Sequence, residues 1–273
     1  MKTYKNTGLY IIVIMVLFSL FNCKESHKIK KPKMNRTVNT TIKETSAIRI
    51  EKLEDSPIYE TAILELKSPD TSLKLPSGEV NFEFDVQNYD LGAQTNSTNT
   101  NRLSNSGKGQ HIHFILNNEP YSAHYTPEFK KEIPDGTHHL VAFLSRSYHE
   151  SVKNEKSVVV TKLKIGKDMI EKGDLNMESP TLIYSRPKGE YVGKDTENIL
   201  LDFFVLNTTL SEKGNKVRAT INGETFTITE WVPYIIKGLP MGEVTIKLEL
   251  LNAQNDLILG SFNDVVRKVV LKK

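Results

Sequence analysis

From about residue 58 the chain alternates apolar and polar positions over short runs: YETAILELKS, GEVNFEFDVQNY, QHIHFIL, HHLVAFLSRSY and KSVVVTKLKI. A period of two, with β-branched and aromatic residues set between Gly, Pro, Asn and Asp, predicts pleated strands bounded by turns. No segment carries a long helical stripe. DSPIYETAI, TPEFKKEI and GKDMIEKGD are candidates for single helical turns only. Short strands at this spacing predict an all-β fold built of sandwiches, not an alternating α/β sheet.

The pattern occurs twice. GEVNFEFDVQNYDL (78–91) aligns without gaps on ENILLDFFVLNTTL (197–210), GQHIHFILNNEPYS on GNKVRATINGETFT, and IPDGTHHLVAFLS on LPMGEVTIKLELL. Order is kept. The first copy inserts GAQTNSTNTNRLSNSGK where the second has only SEKG. Two copies of roughly a hundred residues predict tandem immunoglobulin-like β-sandwiches, since a solenoid repeats every few tens of residues. The expected bodies are 53–172 and 173–273, joined near 165–180.

Before them lies a different composition. MKTYKNTGLY carries two lysines and is followed by the apolar run IIVIMVLFSLF. Eleven residues are too few to span a bilayer and fit the core of a signal peptide, here residues 1–22. The chain's one cysteine, Cys23, follows directly and has no partner for an internal disulfide. A Cys at this place resembles the lipidated first residue of a bacterial lipoprotein. Leu20 matches the aliphatic position of that signal, whereas Phe21 and Asn22 depart from its small residues. Residue 24 is Lys, which the resemblance reads as sorting to the outer membrane. Residues 23–52 are polar and basic and read as a flexible tether. The net charge of +3 is small and interspersed, which argues against nucleic acid as a partner.

Three of the seven histidines fall in one predicted hairpin, GQHIHFILNNEPYSAHY. The second copy sets the register. Asn222-Gly223 is a type I′ signal. It pairs Ile221 with Glu224, Ala219 with Phe226 and Val217 with Ile228 on one face, and Thr220 with Thr225 and Arg218 with Thr227 on the other. Carried to Asn117-Asn118, the same register places Ile112, Phe114, Tyr121 and Ala123 toward the core. It places His113 opposite Ser122 and His111 opposite His124, in a triangle pointing away from the core. Opposed residues have Cβ atoms about 4.5–5.5 Å apart. Such a triangle suits zinc or copper. His149 in SRSYHES is a possible fourth ligand, and His138 and His139, adjacent in a strand, can contribute one ring at most. Two other readings stand beside metal binding. The rings are either solvated, as Lys216 and Arg218 at the equivalent positions suggest, or a pH-sensitive contact.

Nucleophile elbows and phosphate loops are absent from the sequence, and the carboxylates are scattered, so a catalytic reading is not favoured. Arg146, Arg186 and Lys188, in FLSRSYHES and YSRPKGEY, are candidates for gripping an anion through the guanidinium fork. FLSRSYHES resembles the S-R-x-H phosphothreonine-reading signature of forkhead-associated domains. It has one residue too many between Arg146 and His149. Trp231 is expected near the second hairpin.

KGQHIHFILNNEPYSAHY, FLSRSYHES, YSRPKGEY and NKVRATING together resemble an uncharacterised family of Bacteroidetes (Flavobacteria-type) two-domain lipoproteins. Some members are labelled phosphopeptide-binding proteins. The resemblance implies compartment and architecture and supplies no site. The sequence thus predicts a lipid-anchored, non-catalytic binding or scaffolding module at the outer membrane. The alternatives are a copper or zinc binder using His111, His113, His124 and His149, or a binder of phosphopeptides or other acidic ligands.

Overall fold

The computed structural model describes residues 48–167 and 176–273. Cys23, the signal segment and the stretch GKDMIEKGD, apart from its first two residues, lie outside them. The described residues form seventeen strands. The first nine are β1 (Arg49–Lys52), β2 (Ile63–Ser68), β3 (Lys74–Leu75), β4 (Gly78–Gln87), β5 (His111–Leu116), β6 (Ser122–His124), β7 (Glu128–Ile133), β8 (Gly136–Ser145) and β9 (Val158–Ile165). The remaining eight are β10 (Thr181–Arg186), β11 (Gly189–Val192), β12 (Ile199–Leu206), β13 (Lys216–Ile221), β14 (Glu224–Ile228), β15 (Tyr234–Lys237), β16 (Gly242–Leu251) and β17 (Asp264–Lys272). TPEFKKEI, a candidate helical turn, is strand β7: Phe129 and Glu128 pair with Phe82 and Glu83 of β4.

The protein is all-β, with two immunoglobulin-like β-sandwiches in tandem, and the repeat is visible strand by strand. The first sandwich faces β2-β4-β7 with β3-β9-β8-β5-β6. The second faces β10-β12-β15 with β11-β17-β16-β13-β14. In each, the short first strand of the larger sheet runs parallel to its last one, β3 with β9 and β11 with β17. Phe82, Phe114, Leu140 and Leu163 fill the first core, and Leu201, Phe203, Ala219, Ile246 and Leu248 the second.

Two features depart from the sequence reading. The tether was expected to run to residue 52, yet Arg49–Lys52 pairs antiparallel with Tyr234–Lys237 and extends a sheet of the second sandwich. Ile48 and Ile50 pack on that sandwich's core, which gives the segment an apolar face to bury. The chain then crosses back to begin the first sandwich.

The outer faces of the two sandwiches also meet. Ile115, Tyr121, Val141 and Phe143 of the first pack with Ile183 and Phe204 of the second, with Trp231 and Phe262 at the margin. Phe143 and Phe204 have ring centroids 4.5 Å apart. Strands β5, β8 and β12 are therefore buried on both faces, which explains their nearly unbroken apolar runs. Trp231 lies at this seam, its Nε1–H donating to the Phe203 carbonyl at 2.8 Å. Polar ties reinforce it. Asn118 donates to the Leu182 carbonyl at 3.2 Å and accepts from the Tyr184 amide at 2.8 Å. Buried Asp202 pairs with Lys153 at 2.5 Å.

Phe143→Ala removes a ring packed on both sandwiches, a truncation that costs about 3–5 kcal/mol. The expected result is a lower denaturant midpoint, with both halves unfolding in one transition. Separate transitions already in the unaltered protein would show that the seam does not couple them.

Candidate functional site

The second hairpin folds in the predicted register, with Ile221 opposite Glu224, Ala219 opposite Phe226 and Val217 opposite Ile228. Asn222 and Gly223 both have positive φ, as a type I′ turn requires. The first hairpin starts the same way. Asn117 and Asn118 have φ of 52° and 56°, and the Glu119 amide donates to the Leu116 carbonyl at 2.9 Å. Beyond the turn the register slips by one. Pro120 has no N–H to give the ladder, and pairing resumes with Phe114 opposite Ser122, His113 opposite Ala123 and Ile112 opposite His124. One residue of slip moves a side chain to the other face.

His124 is therefore not in the cluster. It lies on the core side with Ile112 and Phe114, stacked on Phe129 at 3.4 Å between centroids. Tyr121, expected in the core, lies instead on the seam, stacked on the His113 ring at 3.5 Å and 12°. His138 and His139 stay out as well. His138 is held by Asn117 and the Pro134 carbonyl, and His139 lies beside Phe262.

His111, His113 and His149 do converge, with one ring nitrogen from each lying within 4.8 Å of the others. His111 Nε2 is 2.9 Å from His113 Nε2 and 3.1 Å from His149 Nδ1. Local structure sets each ring. Gly109 holds φ of 86°, where a Cβ would strike the Gly92 and Ala93 carbonyls, so glycine is required there. From this position its carbonyl accepts a hydrogen bond from His111 Nδ1–H at 2.8 Å. That bond fixes the tautomer and leaves the Nε2 lone pair aimed at the other two rings. The Ser185 hydroxyl, from the second sandwich, stands 3.3 Å from His113 Nδ1. His149 ends the tight loop between Ser145 and Ser151, in the left-handed region at φ of 70°. Its Nδ1 is also 3.2 Å from the Tyr121 hydroxyl.

The face expected to be solvated is dry. His111 and His113 are fully buried, His113 with Ser185 of the second sandwich beside it, while His149 is partly exposed. Burial pushes the pKa of His111 down to about 4 and those of His113 and His149 well below the usual 6.5. Arg186 adds to the effect on all three, and Lys188 on His113 and His149. The rings are neutral at pH 7, the state in which imidazole binds a metal.

The anion candidates separate. Arg146 is committed to structure. It pairs with buried Glu150 at 3.0 Å and donates to the Ser151 carbonyl at 2.9 Å and the Pro57 carbonyl at 2.5 Å. Its Nε–H alone is left without a partner. Arg186 and Lys188 instead stand around Tyr121, with the guanidinium carbon 5.3 Å and the ammonium 4.2 Å from the ring centroid.

No family model matches the chain, and no curated protein matches it. Solved structures to which the chain shows similarity include the fibronectin(III)-like modules of Clostridium thermocellum CbhA. The identity is 14% over 77% of this chain and 94% of that one, at a TM-score of 0.27. A second is Bacteroides ovatus SGBP-B of a mixed-linkage glucan utilization locus, solved with a heptasaccharide. There the identity is 9% over 76% and 70%, at 0.23. A third is the FN1-FN3 segment of chicken CNTN1, with 10% identity over 82% and 67%, at 0.22. Likenesses this distant carry no ligand across to this protein.

The folded state holds these imidazoles at pKa values below their unfolded value, so it binds fewer protons than the unfolded state as pH falls. Stability is then fully present above about pH 6.5 and declines toward pH 4. His124 and His139, also pushed down to about 4 by burial, add to the same limb. Chemical denaturation of metal-free protein checks this, with a midpoint flat above pH 7 and falling from 6.5 to 4. A midpoint that does not move over that interval would mean that the rings gain their protons without unfolding.

Proposed function

We propose that this protein is a non-catalytic binding lipoprotein of the cell envelope that holds a transition-metal ion, copper or zinc, through His111, His113 and His149. The convergence of three neutral imidazoles, two of them fully buried, carries the reading. A tetrahedral centre with metal–nitrogen bonds of about 2.0–2.1 Å sets its ligand atoms about 3.3 Å apart. Two of the three nitrogen pairs stand at 2.9 and 3.1 Å and would open by a few tenths of an ångström, while all three nitrogens already lie within 4.8 Å of one another. Without a metal, the lone pair on His111 Nε2 serves one ring neighbour, His113, while His149 Nδ1 has the Tyr121 hydroxyl. With one, all three lone pairs have a partner. The Gly109 carbonyl and the Ser185 hydroxyl supply the outer support that metal-bound imidazoles use. All-nitrogen ligands suit copper and zinc over calcium or magnesium.

The envelope location and the outer-membrane anchor rest on the signal-like segment and Cys23, and on the resemblance to two-domain lipoproteins. The repeated sandwiches fit a binding or scaffolding body.

Calorimetric titration of the full chain carrying Cys23→Ser, which removes the one thiol, is expected to give a saturable isotherm near one Zn²⁺ or Cu²⁺ per chain. His111→Ala is expected to abolish it and His124→Ala to leave it intact. Tight binding that survives His111→Ala paired with His149→Ala would place the metal elsewhere.

A further inference from the structure

Arg186 is buried to 7% exposure, and among the described residues it has no carboxylate partner. Its Nη1–H donates to the Tyr191 hydroxyl at 3.0 Å and to the Lys188 carbonyl at 3.4 Å, both neutral acceptors. Its Nε–H meets no acceptor at all. Lys188 beside it gives its ammonium to the Tyr121 carbonyl at 2.5 Å and forms no ion pair among the described residues. Exposed Lys108 lies over the Tyr125 ring at 5.6 Å, and that tyrosine's ring is 5.0 Å from His111.

The charges do not balance. Buried cations in proteins are ordinarily matched by a carboxylate, because an uncompensated charge in a low dielectric is costly. Here a guanidinium and an ammonium stand over the ring of Tyr121, which stacks on His113, and neither has a carboxylate partner among the described residues. A dication added to the trio would deepen the imbalance. Three protein ligands also leave a tetrahedral metal one open position.

We infer that the histidine centre takes a small anion, a carboxylate or oxyanion, as the fourth ligand of its metal, held from the second sandwich by Arg186 and Lys188. This rests on the metal reading and names its co-ligand. One oxygen of the anion meets the metal, and another accepts from the guanidinium, whose planar donors match a carboxylate. The Tyr121 hydroxyl, 3.2 Å from His149 Nδ1, loses that acceptor once the nitrogen binds metal and becomes a further donor to the anion. Lys188 is partly exposed, and its flexible stem makes it the group that moves to admit the ligand.

The full chain carrying Cys23→Ser is loaded with Co²⁺, whose visible bands report the ligand set, and titrated with formate. A saturable shift of the bands is expected. In Lys188→Gln and in Arg186→Gln the formate midpoint is expected to rise roughly ten-fold, the loss of one charge-assisted hydrogen bond. Without formate, both variants are expected to bind Co²⁺ at least as tightly as the parent, since a repelling cation is gone. Should Co²⁺ bind while formate leaves the bands unmoved, the anion position falls and the metal site stands. A formate midpoint equal in parent and both variants would remove Arg186 and Lys188 from the grip. Failure of the chain to take up Co²⁺, Zn²⁺ or Cu²⁺ would overturn both readings.

Discussion

The apolar contact between the outer faces of β5 and β8 and those of β10 and β12 is the constraint on which the rest depends. A single sandwich with one face in water would leave His111 and His113 hydrated, titrating near 6.5 and free to turn. With the second sandwich packed on this face, the two rings lie out of solvent, and His113 is confined by Tyr121, Phe143 and Ser185. Each fully buried aromatic or aliphatic side chain in the seam contributes about 1.5–3 kcal/mol relative to exposure. That holds together a cluster of polar rings that gains little by itself. The seam also explains Asp202, a fully buried carboxylate on a strand that is otherwise apolar. It faces the other sandwich, where Lys153 and the Ser151 hydroxyl and amide neutralise and satisfy it.

The fold was largely legible because its signals are local and repeated. Alternation gave most of the strands, and the internal repeat gave two bodies with one strand order. Asn222-Gly223 gave a register that the structure keeps, since nothing beyond a two-residue turn disturbs it. The first hairpin has the same turn but follows it with Pro120. Proline cannot supply the next ladder bond, so one residue drops out of the pairing and His124 changes face. A proline two residues past the turn was the available warning. The edge strand β1 was missed for the opposite reason. IRIEK is short, charged and adjacent to a basic stretch, and only its alternating Ile48 and Ile50 mark the side that packs on the second core.

The site was half legible. His111 and His113 share a face in any register, because they are two apart on one strand. Bringing in His149 required a long-range contact between the loop after β8 and the start of β5, which no spacing rule supplies. The burial of the site was written in the sequence but not read from the hairpin alone. Leu140 to Leu144 and Ile199 to Phe204 are apolar at almost every position, and an unbroken run in a short strand signals cover on both faces. The second copy misled here. Lys216 and Arg218 stand where His111 and His113 do, yet β13 has no sandwich against its outer face, and Arg218 there makes a part-buried pair with Glu249 at 2.8 Å. Equivalent positions in a repeat share backbone geometry, not environment.

The placement of the centre at the seam has a consequence for how the two sandwiches behave. The imidazoles come from the first body, whereas Ser185, Arg186 and Lys188 come from β10 and the loop after it in the second. A ligand that spans both sets binds only while the seam is closed, and by linkage its binding free energy adds to the stability of the closed pair. The same arrangement bars a metal held by the first sandwich alone from gaining the anion, because the groups that would hold the anion stand on the other body. On the proposed reading, occupancy and domain docking are one equilibrium. Buried Arg186, costly while unmatched, lowers the stability of the empty seam and, on the proposed reading, widens the difference between empty and filled states. A site built inside one sandwich core would have no such leverage, since its walls are closed whether or not anything is bound.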